Sequence, residues 1–290
     1  NHSAFKIALT GLKGGHSGCD IHLGRANAIK LLSRALYTLR EKLPKGALML
    51  SSLSGGNKRN AIPREAEGRI VFDPSLKKEI EECIHGLNEQ WRVEFKIQDP
   101  GVTVSLKDLA EEAKEEVLIP GDFSRLLQLL YLQPNGALQY SAAIDGLVET
   151  STNLGVVKFD GDRVESTSLT RSSIDSAKEN VAAQMRILAS LIDARVDQEA
   201  GYPGWNPNLD SAVLERAKVV YKDLYGEEPE VKAIHAGLEC AIIGGKVPGM
   251  DMLSFGPTIT GPHSPDERLE ISTVAKFYRF TKALLDDLSK

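Results

Sequence analysis

Cysteine is scarce in this chain. Cys19, Cys83 and Cys240 are an odd set at no metal-type spacing. That argues against a disulfide framework or a cysteine-built zinc site, and fits free thiols in a reducing, cytoplasmic compartment. No apolar stretch reaches the roughly 18 residues that a membrane span needs, and no signal-peptide pattern stands at the start. Runs of Lys or Arg are missing too, and the formal net charge is −5; neither suits a nucleic-acid partner. Several hydrolase signatures are absent: an HxD pair, a Glu-Glu pair in a glycine-rich setting, HExxH and GxSxG. Metal-assisted hydrolysis needs several ligands and a carboxylate base, and Ser-His-Asp chemistry needs its nucleophile turn. No single local motif here supplies either. What remains is ordinary globular composition, 26% charged and 42% hydrophobic over 290 residues, long enough for two domains.

Hydrophobic patterning outlines the first part. Residues 5–12 alternate as a strand does, and residues 26–43 place Ile29, Leu32, Leu36 and Leu39 at helical spacing. Residues 47–53 and 67–72 read as strands. Pro74 opens a helix to about Trp91, and residues 93–97 and 102–106 read as short strands. This β-α-β-β-α-β order predicts an antiparallel sheet with helices on one face.

Residues 123–132 (helix), 147–159 and 164–170 (strands about the turn 160–162) and 173–192 (helix) suggest a loose second copy of that layout. The two halves would be about 1–110 and 120–201. The Gly-, Pro- and aromatic-rich stretch 199–208 is the clearest boundary. Beyond it, 212–225 and 271–288 read as helices, 230–234 and 252–255 as strands, the latter buried. A domain of residues 202–290 alone would leave sheet edges without partners.

Five segments carry candidate chemistry. Gly14-Gly15-His16-Ser17-Gly18 follows a strand, and its glycines allow close backbone approach; a glycine-rich turn with an incidental His is the plainer alternative. Asn60 precedes Ile62-Pro63 and offers donor and acceptor, or satisfies its own turn. Arg171 stands at a strand-to-helix junction, where a guanidinium can grip a carboxylate with two hydrogen bonds or make a surface ion pair. His235 and Glu239 sit together in His235-Ala236-Gly237-Leu238-Glu239-Cys240, with a buried Glu at a helix start as the alternative. His263 lies in a loop whose Pro257, Pro262 and Pro265 restrict the backbone, as befits a metal ligand or base.

Taken in order, these segments resemble the aminoacyl-histidine (Xaa-His, carnosinase-like) dipeptidases, di-zinc metallopeptidases of the glutamate-carboxypeptidase-like family. The resemblance runs through nearly the whole chain. It is specific at GLKGGHSG (11–18), RNAIPREA (59–66), and IHAGLEC (234–240) followed by GPTITGPHSPDE (256–267). It implies an α/β enzyme in which residues 1–201 form an inserted α+β lid and 202–290 the C-terminal part of the catalytic domain. It implies zinc as cofactor, two ions per complete site, with His263 as a ligand. His16 would stabilise the oxyanion, and Asn60 and Arg171 would hold the substrate carboxylate. His235 and Glu239 would line the substrate side. The implied partners are a dipeptide such as carnosine and a second copy of the chain as homodimer. The family's other zinc ligands and its general base lie before the lid, and the chain opens abruptly with Asn1-His2-Ser3. The expectation is therefore a truncated polypeptide, inactive alone. A non-catalytic lid or assembly module, and a related zinc hydrolase acting on acyl-amino acids, are the alternatives.

Overall fold

The computed structural model describes residues 2–112, 116–159, 163–201, 204–205, 208, 210–233, 239–260 and 267–290. These residues fall into two compact units, one ending at Ala200 and the other running from Gly201 to Lys290.

The first unit is built on one antiparallel sheet. Strand β1 (Ser3–Thr10) buries Phe5, Ile7 and Leu9 on one face and stops at Gly11, whose φ of +81° ends the extended run. After the short β2 (Gly15–His16) comes helix α1 (Ala28–Lys42), whose leucines at helical spacing form its buried stripe. Asn27 caps it, its side chain accepting from the Ile29 and Lys30 amides. Strands β3 (Met49–Gly55), β4 (Ala61–Ile62) and β5 (Ala66–Phe72) follow, then helix α2 (Lys77–Glu94), strand β6 (Thr103–Glu112) and helix α3 (Pro120–Leu132). The remainder is β7 (Gly136–Tyr140), β8 (Val148–Phe159), β9 (Val164–Ser172) and helix α4 (Asp175–Leu191).

In the sheet the order is β6-β1-β5-β3-β8-β7, with β9 also paired to β8. The first four strands and the two helices α1 and α2 follow the expected β-α-β-β-α-β layout. α1, α2 and α3 pack Leu32, Leu36, Trp91 and Phe123 into one core with Phe5, Ile7, Leu50 and Phe72 of the sheet. β8 is the shared strand: it pairs with β9 along its length, with β7 near its start and with β3 near its end.

One expectation for this unit fails, and one strand was not expected. Residues 93–97 are not a strand; α2 continues to Glu94, because the spacing of Ile80, Ile84, Leu87 and Trp91 carries the buried stripe on, and Val93 and Ile97 stay exposed. β7 escapes the sequence pattern because GALQY buries no residue fully. The turn 160–162 lies outside the described residues.

The second unit pairs helix α5 (Ala212–Tyr225) with helix α7 (Ile271–Leu288) through Ala217, Phe280 and Leu284. Arg216 Nε donates to Asp287 Oδ2 at 2.8 Å. Between them lie helix α6 (Glu239–Lys246) and a two-residue bridge of β10 (Ile259–Thr260) to β11 (Arg268–Leu269). Residues 252–255 are neither a strand nor buried: Phe255 stays 40% exposed. The described part of 230–234 is likewise irregular. Strands need neighbours, and the described residues of this unit provide only that bridge.

Candidate functional site

The glycine-rich loop after β1 is tied down at both ends by one buried carboxylate. Asp99 Oδ1 accepts from the Lys13 amide at 2.8 Å, and its Oδ2 from the Ala26 amide at 2.7 Å. Asp99 is brought there by a backbone contact between glycines: a Cβ on Gly11 would lie 1.8 Å from the Gly101 carbonyl oxygen. Within the loop, Asp20 Oδ2 accepts from the His16 amide at 2.8 Å, and Arg25 Nη1 donates to the Gly14 carbonyl at 2.5 Å.

His16 is half-buried. Its Nδ1 accepts from the amides of Gly18 at 3.2 Å and Cys19 at 3.0 Å. A ring nitrogen that accepts two N–H groups carries no proton, so Nε2 holds it and is a donor. Two backbone amides of the loop thus fix which ring nitrogen of His16 is the acceptor.

The Asn60 turn is joined to this loop. β2 pairs with β4, His16 facing Ala61, and the Ser17 amide donates to the Asn60 carbonyl at 2.8 Å. On the other flank, the Ala28 amide at the start of α1 donates to the Pro63 carbonyl at 2.9 Å. From below comes β8. Asn153 Nδ2 donates to the carbonyls of Arg59 at 3.0 Å and Ala61 at 2.8 Å. A Cβ on Gly155 would meet Arg59 Cα at 2.6 Å, and one on Gly56 would meet the Gly155 carbonyl oxygen at 1.9 Å. Two glycines are therefore required for this backbone to seat on β8. The Asn60 side chain is half-exposed and makes no hydrogen bond among the described residues.

Arg171 sits in β9 opposite Ser151 of β8, and Asn153 sits opposite Leu169, one same-face step along. Ser151 and Asn153 alternate with Leu154, which points into the core, so Arg171 belongs to the sheet face that carries the Asn60 turn. The structure thus gathers the His16 loop and the Asn60 turn directly, and puts Arg171 on the same strand pair as the Asn153 anchor. Glu239 is the first residue of α6 in the second unit and is exposed rather than buried. His235 and His263 lie outside the described residues.

Among the described residues no three His, Cys, Asp or Glu side chains gather as a metal ion would need. By themselves they do not make a zinc centre. No helix among them is long and apolar enough to cross a membrane.

Sequence reasoning missed Asp99 and Asn153. The available signal for Asn153 was its place beside Gly155 in an otherwise apolar, β-branched strand, since Asn and Gly are both disfavoured there.

Residues 7–97 match the peptidase dimerisation domain. Over 284 residues the chain is 38% identical to the cytosol non-specific dipeptidase of Escherichia coli (strain K12), covering 98% of this chain and 58% of that protein. The crystal structure of aminoacylhistidine dipeptidase from Vibrio alginolyticus matches with a TM-score of 0.89 at 38% identity, covering 99% of this chain and 57% of that one. The chain thus spans less than two thirds of the length of either relative. The domain match, the identity along nearly the whole chain and the shared fold lead to one conclusion: this chain carries the M20-type peptidase dimerisation domain and is related along nearly its whole length to these dipeptidases.

Proposed function

We propose that this chain supplies the substrate-gripping part of a dipeptidase, with residues 1–201 as lid and 202–290 as part of the catalytic domain. The observation that carries the reading is the fixed pairing of the His16 loop with the Asn60 turn, in a chain 38% identical to a dipeptidase. In this reading Nε2–H of His16 donates to the oxygen that gains charge as the peptide carbonyl is attacked. A preorganised donor of this kind is worth roughly 10²–10³ in rate. Arg171 and Asn60 bind the carboxylate at the end of the substrate, which restricts the enzyme to short peptides. Zinc is the metal we assign to the complete site, with His263 among its ligands and His235 and Glu239 on the substrate side. Xaa-His dipeptides such as carnosine are the preferred substrates, the compartment is the cytoplasm, and the assembly is a homodimer, in keeping with the dimerisation-domain match over residues 7–97.

The test is a substrate panel run on the enzyme that carries these residues: carnosine, Gly-His, other dipeptides, dipeptide amides and acyl-amino acids. Dipeptides with a free carboxylate should be cleaved and acyl-amino acids should not. Arg171→Ala should cost about 10- to 150-fold on free dipeptides, the equivalent of about 1.5–3 kcal/mol for a charge-assisted pair. It should cost much less on the amides. Equal losses on free and amidated substrates would overturn the carboxylate role, and preferred cleavage of acyl-amino acids would overturn the dipeptidase reading.

A further inference from the structure

Asn153 is 1% exposed, yet it sits in the middle of a strand whose buried neighbours are apolar or hydroxylic. Its Nδ2 spends both N–H bonds on the carbonyls of Arg59 and Ala61, which bracket Asn60. Two carbonyl oxygens can face only donors, so chemistry fixes the orientation of this amide. Its own Oδ1 has no donor among the described residues. An unsatisfied buried acceptor is unfavourable, so what offsets it is the pair of bonds on the other side. β-ladder geometry does not require them: they join a side chain to a loop backbone 94 and 92 residues earlier.

The consequence reaches two side chains at once. The carbonyl between the bracketed ones, that of Asn60, accepts from the Ser17 amide at 2.8 Å, and Ser17 follows His16. We propose that Asn153 is a positioning residue: its amide clamps the carbonyls of Arg59 and Ala61, the residues on either side of Asn60, and so aims Asn60 directly and His16 through Ser17. The proposal rests on the dipeptidase reading only for its effect on turnover; the clamp itself can be measured without catalysis.

The experiment uses Asn153→Ala and Asn153→Ser, the second as a milder variant should the first fold poorly. Amide hydrogen exchange is measured on the chain as it stands. Exchange at Ser17 and Ala61 should speed up about 10-fold or more in Asn153→Ala, and less in Asn153→Ser, while amides of α2 stay unchanged. In the enzyme, kcat/KM for a dipeptide should fall about 10- to 100-fold. In an Asn60→Ala background the same substitution should cost clearly less than in wild type, because the part that acts on the Asn60 side chain is gone and only the part that reaches His16 through the backbone and Ser17 is left. Unchanged exchange at Ser17 overturns the clamp. Asn60→Ala impaired with Asn153→Ala unimpaired, or equal effects of Asn153→Ala in both backgrounds, overturns the positioning role. If Asn60→Ala itself leaves turnover intact, the site reading above fails, and the positioning role falls with it even where exchange shows the clamp to be real.

Discussion

At the scale of single residues, the role proposed for His16 asks for one fixed tautomer. Backbone N–H groups from Gly18 and Cys19 hold Nδ1 as an acceptor, which leaves Nε2–H as the donor that the proposal uses. His16→Ala should therefore lower kcat by roughly 10²–10³ while KM changes little, since the charge it answers exists only in the transition state. Steady-state kinetics and a melting curve check this: a shift confined to KM, or a loss of fold, would make His16 structural. Residues of this kind were legible in the sequence because their setting is local, with glycines around His16 and Ile62-Pro63 after Asn60. Asn153 and Asp99 were not, because what they do is bind backbone 73 to 94 residues away. Nothing in a window around either residue reveals such a partner.

At the scale of elements, loops are held by single buried side chains. Asp99 closes the segment from Lys13 to Ala26 with one carboxylate. Asp99→Ala leaves two amides without their acceptor, at a cost of about 1–3 kcal/mol for each that stays buried. The urea midpoint should drop accordingly, and Asp99→Asn, which keeps one acceptor oxygen, should fall between. A midpoint unchanged in Asp99→Ala would show that water replaces the carboxylate without loss. Lys30 does the corresponding work at the end of α3. Its Nζ donates to the carbonyls of Leu130 at 2.8 Å, Tyr131 at 2.5 Å and Gln133 at 2.8 Å. Burial outweighs those carbonyls and pulls the ammonium down to about 8. The unfolded chain keeps its proton up to about 10.5 and the folded chain only up to about 8, so between these values unfolding takes up a proton and stability rises with pH. Below about 8 both states are charged and the burial penalty is constant; above about 10.5 both are neutral and it vanishes. The stability of wild type relative to Lys30→Met should thus be flat at lower pH and climb between those two values. Denaturation at stepped pH measures it, and a falling difference would reverse the assignment. Helices and strands with strong periodicity were readable from sequence; β7 was not, because an edge strand with no fully buried side chain carries no alternation to read.

At the scale of the molecule, the two units differ in how much core they own. Among the described residues the first holds nearly all the large buried side chains, the second a cluster of three. Residues 1–200 made alone should fold cooperatively, and, given the peptidase dimerisation domain over 7–97, should self-associate. Sedimentation across a concentration series tests this; a monomer at every concentration would remove the homodimer from the proposal. The same molecule also sets an order of assembly. Asn153 lies on the twelve-residue β8, far later in the chain than the turn it pins. During synthesis His16 and Asn60 leave the ribosome well ahead of their clamp, and the strands β1, β3 and β5 can pair before β8 exists. A nascent chain stopped short of Asn153 would carry both loops and the strand pairing that joins them, but not the amide that seats the Asn60 turn on β8. The last support of this region is therefore the last to be made.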